Sequence, residues 1–188
     1  MSITRLAATV LAVAAVLGAA ACGRAGTPSV TASGSAGRTS SMQAKLPPPS
    51  RFLAVDPYRH RVTITLIASY DGANGGLNFD GYSRELLFTV PRGWIVRVVC
   101  ENRGPLRHSC AVVRGPDSTK PAFHGAATLQ PSIGLEAGST ARFAFRASRI
   151  GVYRFACLVP GHEQARMYDV LQVVRRGKPS AVDLLAGR

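Results

Sequence analysis

One thiol, one imidazole and one thioether fall close together in this sequence: Cys157, His162 and Met167, spaced Cys-x4-His-x4-Met. Soft sulfur ligands combined with imidazole nitrogen suit copper, and two His with one Cys and a weak axial Met make an electron-transfer copper site. The stretch supplies three of those four ligands, so a second His has to come from elsewhere. His108, in Pro105-Leu-Arg-His-Ser-Cys110, is the best placed. A Cys in this role must be a thiolate, and binding the metal is what deprotonates it. The reading is one type 1 copper ion bound by His108, Cys157, His162 and Met167, cycling between Cu(II) and Cu(I).

Taken singly, each residue has a plainer role. A lone Cys is most often a buried structural thiol, and Met167 before an apolar run would ordinarily be core. His108 and His162 alone would be turn residues facing water. It is the combination, within one chain of β character, that points to a metal. His60 and His124 have no partner pattern and are expected on the surface.

Such a loop needs strands on either side. Val62–Ile67 alternates branched apolar and hydroxyl residues, as a half-buried strand does. Runs at 86–90, 95–100, 109–113, 141–145, 152–156 and 168–174 complete the set, with Gly and Pro between them. Seven or eight such runs predict an all-β fold, an antiparallel Greek-key β-sandwich. Cys157 would end one strand, Pro160-Gly161 would turn the chain, and Met167 would open the next. His108 would head a neighbouring strand after the Gly104-Pro105 turn. The segment from Asp117 to Gly138 is expected to wrap one side as a loop.

Cys100 and Cys110 lie on consecutive predicted strands. Two arrangements stay open: a disulfide between antiparallel neighbours, or two buried thiols. By the period of two, Cys110 shares the side of His108.

With 188 residues the chain suffices for one ordinary domain. Hydrophobic residues at 46% allow a packed core. Arg5 followed by the apolar run 6–21 reads as an export signal, too short for a membrane span of about 20 apolar residues. Cys22 at its end resembles the lipidated Cys of bacterial lipoproteins, although Ala19 stands where Leu is usual. Plain secretion is the alternative, and either route takes the protein out of the cytoplasm. Residues 22–50 read as a flexible Gly/Ser/Pro tether, 51–176 as the copper domain and 177–188 as a tail. The formal charge of +13 favours acidic partners or anionic headgroups. Without a basic helix or interleaved aromatics, nucleic acid is not expected.

At this point a resemblance is specific enough to name. Leu77–Tyr82, Phe88–Trp94, His108-Ser109, Gly151–Cys157, Pro160–His162 and Met167 are similar to the cupredoxins, and within them to the sulfocyanin family, with rusticyanin nearby. The likeness covers residues 51–174. It implies a cupredoxin-like sandwich, copper on His108, Cys157, His162 and Met167, and one-electron shuttling. With the lipid expected on Cys22, the protein is expected to be a membrane-tethered monomer that meets redox partner proteins. The sequence departs from the family at Arg166, where Gly commonly precedes the Met, and at Cys100 and Cys110, where bulky apolar residues are usual.

An enzyme such as a multicopper oxidase or nitrite reductase would need further ligands, commonly His-x-His pairs, and the chain has none. An exported copper carrier or buffer is the remaining alternative. Such a site is expected to be open and rich in Met and His, whereas only three Met occur.

Overall fold

Residues 46–186 are described by the computed structural model of the protein. The signal segment, Cys22 and the tether up to residue 45 lie outside the described residues. Among the described residues, nine strands form two sheets. β1 (Leu53–Asp56), β2 (Arg61–Ala68), β4 (Ile95–Asn102) and β6 (Thr140–Arg146) make the first, in the order β1-β2-β4-β6. β5 (Ala111–Val113), β7 (Gly151–Ala156), β8 (Tyr168–Val174), β3 (Leu86–Pro91) and β9 (Ser180–Asp183) make the second, in the order β5-β7-β8-β3-β9.

The expected sandwich is present, but its strands are not all antiparallel. β2 pairs with β4 in parallel, and β3 with β8. The cause is the path of the chain: after β2 it crosses to the second sheet to form β3, then returns as β4. Parallel neighbours need such a crossover, because a tight hairpin can join only antiparallel strands. Alternation alone cannot reveal this, because it reports the buried face and not the direction.

That alternation is obeyed closely. In β2, Val62, Ile64 and Leu66 are buried while Thr63 and Thr65 between them are half-exposed. Each fully buried Ile or Leu contributes roughly 2 kcal/mol of transfer free energy. Val96 and Val98 of β4 face the same layer, and across it Phe88 meets Phe155 edge to face at 5.8 Å.

Two short strands escape the alternation reading. β1 is a four-residue edge preceded by a short 3-10 helix, Pro49–Phe52, which starts just before the expected domain boundary at residue 51. β9 lies within 177–188, the segment read as a tail, and pairs antiparallel with β3.

The insert 117–138 contains no helix or named strand. It runs along β5, with Val112 N–H donating to Ala126 O at 2.8 Å and Thr128 N–H to Cys110 O at 2.9 Å. It thereby satisfies backbone groups of an edge strand that would otherwise be bare.

Cys100 and Cys110 form a disulfide, their Cα atoms 6.0 Å apart. Its placement differs from the antiparallel-neighbour arrangement. β4 belongs to one sheet and β5 to the other, so the bridge spans the layers, with both residues fully buried. It occupies core space and ties the two sheets together two residues beyond His108.

Candidate metal centre

Cys157, His162 and Met167 come from one loop between β7 and β8. Cys157 N–H donates to Met167 O at 3.2 Å, which closes the loop at its base. Inside it, His162 N–H donates to Val159 O and Met167 N–H to His162 O, both turn contacts at 3.1 and 3.0 Å. Gly161 sits at φ 84°, a left-handed conformation that costs a side-chain-bearing residue and not glycine. Arg166 adopts φ 71°, so the position where the family carries Gly does need a left-handed backbone. Arg occupies it at a cost of roughly 1–2 kcal/mol.

His108 arrives from the other side. It precedes β5 and makes an isolated bridge with Leu135 of the insert, Leu135 N–H donating to His108 O at 2.6 Å. Gly134 allows this approach: a Cβ there would lie 2.8 Å from Val159 Cγ2 and 3.1 Å from the His108 backbone nitrogen.

One ligand atom from each of His108, Cys157 and His162 lies within 4.8 Å of the other two. Nδ1 of His108 is 3.9 Å from Cys157 Sγ, and Nδ1 of His162 is 3.4 Å from it. Met167 is fully buried at the base of the same loop. His60 and His124 are exposed and far from taking part; His60 packs against Trp94 instead.

The electrostatics suit a metal. Burial and the neighbouring His162 imidazole push His108 down to about 4, and burial also lowers His162. Both rings are therefore neutral donors at neutral pH. Burial pushes the Cys157 thiol up, against hydrogen bonds from Ser109 and Val159. A thiolate there needs a cation beside it.

Ser109, already part of the His108-Ser109 motif, and Ser69, Gly104 and Asn102, which sequence patterning did not single out, complete the centre. Ser109 N–H donates to Cys157 Sγ at 3.3 Å, while the Ser109 hydroxyl oxygen accepts Leu158 N–H at 2.9 Å. Ser69 Oγ lies 3.0 Å from His108 Nε2. Gly104 makes that possible, because a Cβ on it would overlap the Ser69 side chain. Asn102, 1% exposed, donates to Leu106 O, Leu135 O and Glu136 O and accepts from Gly104 N–H. It staples the His108 loop to the insert. Only their place in the fold, invisible in a single sequence, distinguishes Ser69 and Asn102 from ordinary turn residues.

The donor set fits copper: two neutral imidazoles and a thiol converge, with a buried thioether in the same loop. The sequence matches the Sulfocyanin (SoxE) domain over residues 48–178. No curated protein matches the chain. Among solved structures, it is similar to a dithionite-reduced auracyanin from Roseiflexus castenholzii, 26% identical over 60% of this chain and 96% of that one, TM-score 0.45. It is also similar to auracyanin A, a "blue" copper protein from Chloroflexus aurantiacus, at 20% identity, covering 61% and 99% with TM-score 0.44. Rusticyanin from Thiobacillus ferrooxidans is 18% identical, covering 65% and 86% with TM-score 0.45. None of the three reaches a TM-score of 0.5, so membership rests on the domain match and on the centre itself. The chain belongs to the sulfocyanin family of electron-transfer blue copper proteins, cupredoxins that hold one type 1 copper.

Proposed function

We propose that this protein carries single electrons between exported redox partners, on one copper ion that His108, Cys157, His162 and Met167 would hold. The observation that carries the reading is the convergence of Cys157 and His162 with His108, which is 49 residues before Cys157 in the chain. Copper supplies the one-electron couple. The chain supplies a fixed set of donors, held by the disulfide, the Asn102 staple and the loop-closing bond between Cys157 and Met167. Donors that do not move between oxidation states lower the reorganisation needed for transfer, and the shell around the Cys sulfur tunes the potential.

His108 and Cys157 are fully buried, whereas His162 is half-exposed. His162 is therefore the natural port for the electron. Around it, Pro160 and Gly161 are exposed and Leu158 and Val159 half-buried. Arg107 is engaged by Glu136, so Arg166, which forms no ion pair among the described residues, is the better contact for an acidic partner. Burial of the thiol and of His108 favours retaining the metal over delivering it, which sets the carrier ahead of a copper buffer. Export and a lipid on Cys22 would hold the domain at the outer face of a membrane.

The test is to load the full chain with Cu(II) and record its visible spectrum and a redox titration. An intense thiolate-to-copper band with reversible one-electron cycling supports the proposal. Cys157→Ser should abolish the band and His124→Gln should leave it unchanged; a colourless, easily chelated copper would overturn the carrier in favour of the buffer.

A further inference from the structure

The loop that presents His162 has turns but no regular element, yet it must keep that imidazole still. Next to His162 stands a residue that no turn requires. Glu163 is 7% exposed, unusual for a carboxylate in a surface loop. Its Oε1 accepts from Arg154 Nη1 at 2.9 Å, and its Oε2 accepts the backbone N–H of Asp117 at 3.1 Å. Gln164 adds a bond from its Nε2 to Asp117 Oδ1 at 2.7 Å.

Arg154 sits on β7, three residues before Cys157. Its guanidinium lies over the Tyr168 ring, 4.0 Å from the centroid. Tyr168 directly follows Met167. A single carboxylate beside His162 is thus bonded to the strand entering the loop, braced through Arg154 on the strand leaving it, and anchored to the insert.

We propose that Glu163, with Arg154, is a positioning residue that sets how His162 presents Nδ1 toward Cys157, and so the electronic character of the copper centre. This rests on the copper reading above. The carboxylate offers two oxygens to two donors, one of them a cation, and charge-assisted bonds of this kind are short and directional. A Gln at this position has one oxygen and an NH2 group. One donor would then face another donor, and the loop would lose an anchor at the residue bonded to His162. Loss of a partner that orients a ligating His typically costs roughly tenfold or more in metal affinity.

The experiment uses the full chain as wild type, Glu163→Gln, Arg154→Met and Arg154→Lys, with Ile64→Val as a destabilised core control remote from the loop. Read on the Cu(II) form are the copper hyperfine splitting in EPR, the ratio of the visible charge-transfer bands and the reduction potential. Copper loss to a chelator is timed. On the copper-free form, exchange broadening of the His162 ring is followed by NMR. Glu163→Gln and Arg154→Met should shift splitting, band ratio and potential in the same direction, lose copper roughly tenfold faster and broaden the His162 signals. Arg154→Lys should return toward wild type, and Ile64→Val should match it spectroscopically. If the Glu163 and Arg154 variants lose only stability, keeping wild-type spectra, potential and His162 line widths, the positioning role is overturned while the copper reading stands. A wild-type chain with no thiolate-to-copper band overturns both.

Discussion

Ser69 Oγ lies 3.0 Å from Nε2 of His108 and gives its own hydrogen to Gly76 O at 2.6 Å. A hydroxyl has one hydrogen, so Ser69 must accept from His108. That fixes the proton on Nε2 and leaves the Nδ1 lone pair facing Cys157, the tautomer a metal needs. Ser69→Ala should therefore weaken copper binding about 10- to 100-fold while leaving the fold intact. Competition with a chelator, alongside circular dichroism, measures both; unchanged affinity would remove Ser69 from the centre.

His108 also predicts a pH dependence of the copper-free protein. Its native pKa, near 4, lies below the ordinary 6.5 of the unfolded chain. Between those values the unfolded state binds a proton that the native state refuses, so stability rises with pH across the window and is lost as pH falls. For a fully buried ring the effect approaches about 3 kcal/mol. Urea unfolding at pH 4.5 and 7 should show a slope that His108→Gln flattens. Equal slopes would mean the ring is protonated in the native state.

The opposite sign belongs to Asp80. Burial pushes this carboxyl well above the usual range, as it does Asp169. Oδ1 of Asp80 accepts Ile67 N–H at 2.8 Å, while Oδ2 has no hydrogen-bond partner among the described residues. The native state keeps a proton that the unfolded chain releases above about pH 4, so this contribution falls as pH rises through the native pKa. Asp80→Asn cannot titrate. It should gain stability relative to wild type from pH 4.5 to 8, read from urea midpoints, and parallel curves would refute the assignment.

The Cys100–Cys110 bridge closes a short loop, with a sequence separation of 10, and in the chain-entropy description is worth about 3 kcal/mol. Replacing both residues with Ala should cost at least that, since two buried side chains are trimmed as well. The same double variant should broaden the copper EPR lines if the bridge steadies the His108 segment. Wild-type line shape in a destabilised variant would assign the bridge to the fold alone.

Much of this architecture could be read before any coordinates, and the reasons are residue-specific. Six of the expected runs match strands of six to eight residues, because alternation of that length, as at Val62–Ile67, records a buried face. The run at 109–113 keeps only the three-residue strand Ala111–Val113, buried throughout. Leu53–Asp56 and Ser180–Asp183 are too short for that signal and owe their strand form to β2 and β3 beside them. The parallel pairing of β2 with β4 has no local signature. Cys157, His162 and Met167 stand out because few residue types bind copper. Ser69 and Asn102 do not, because each acquires its role only when distant segments meet. The sequence leaves Cys100 and Cys110 open between a disulfide and two buried thiols, and the bridge's course between layers depends on β4 and β5 falling in different sheets.

The short strand β9 has a practical bearing. It covers the outer side of β3, residue against residue from Leu86↔Asp183 to Thr89↔Ser180. A fragment cut at Arg176 would strip that cover and leave β3 with a row of unpaired amides and carbonyls, an invitation for another chain to add itself. Recombinant forms of this protein should therefore run past Asp183, and self-association in a shorter fragment would belong to the truncation and not to the native molecule.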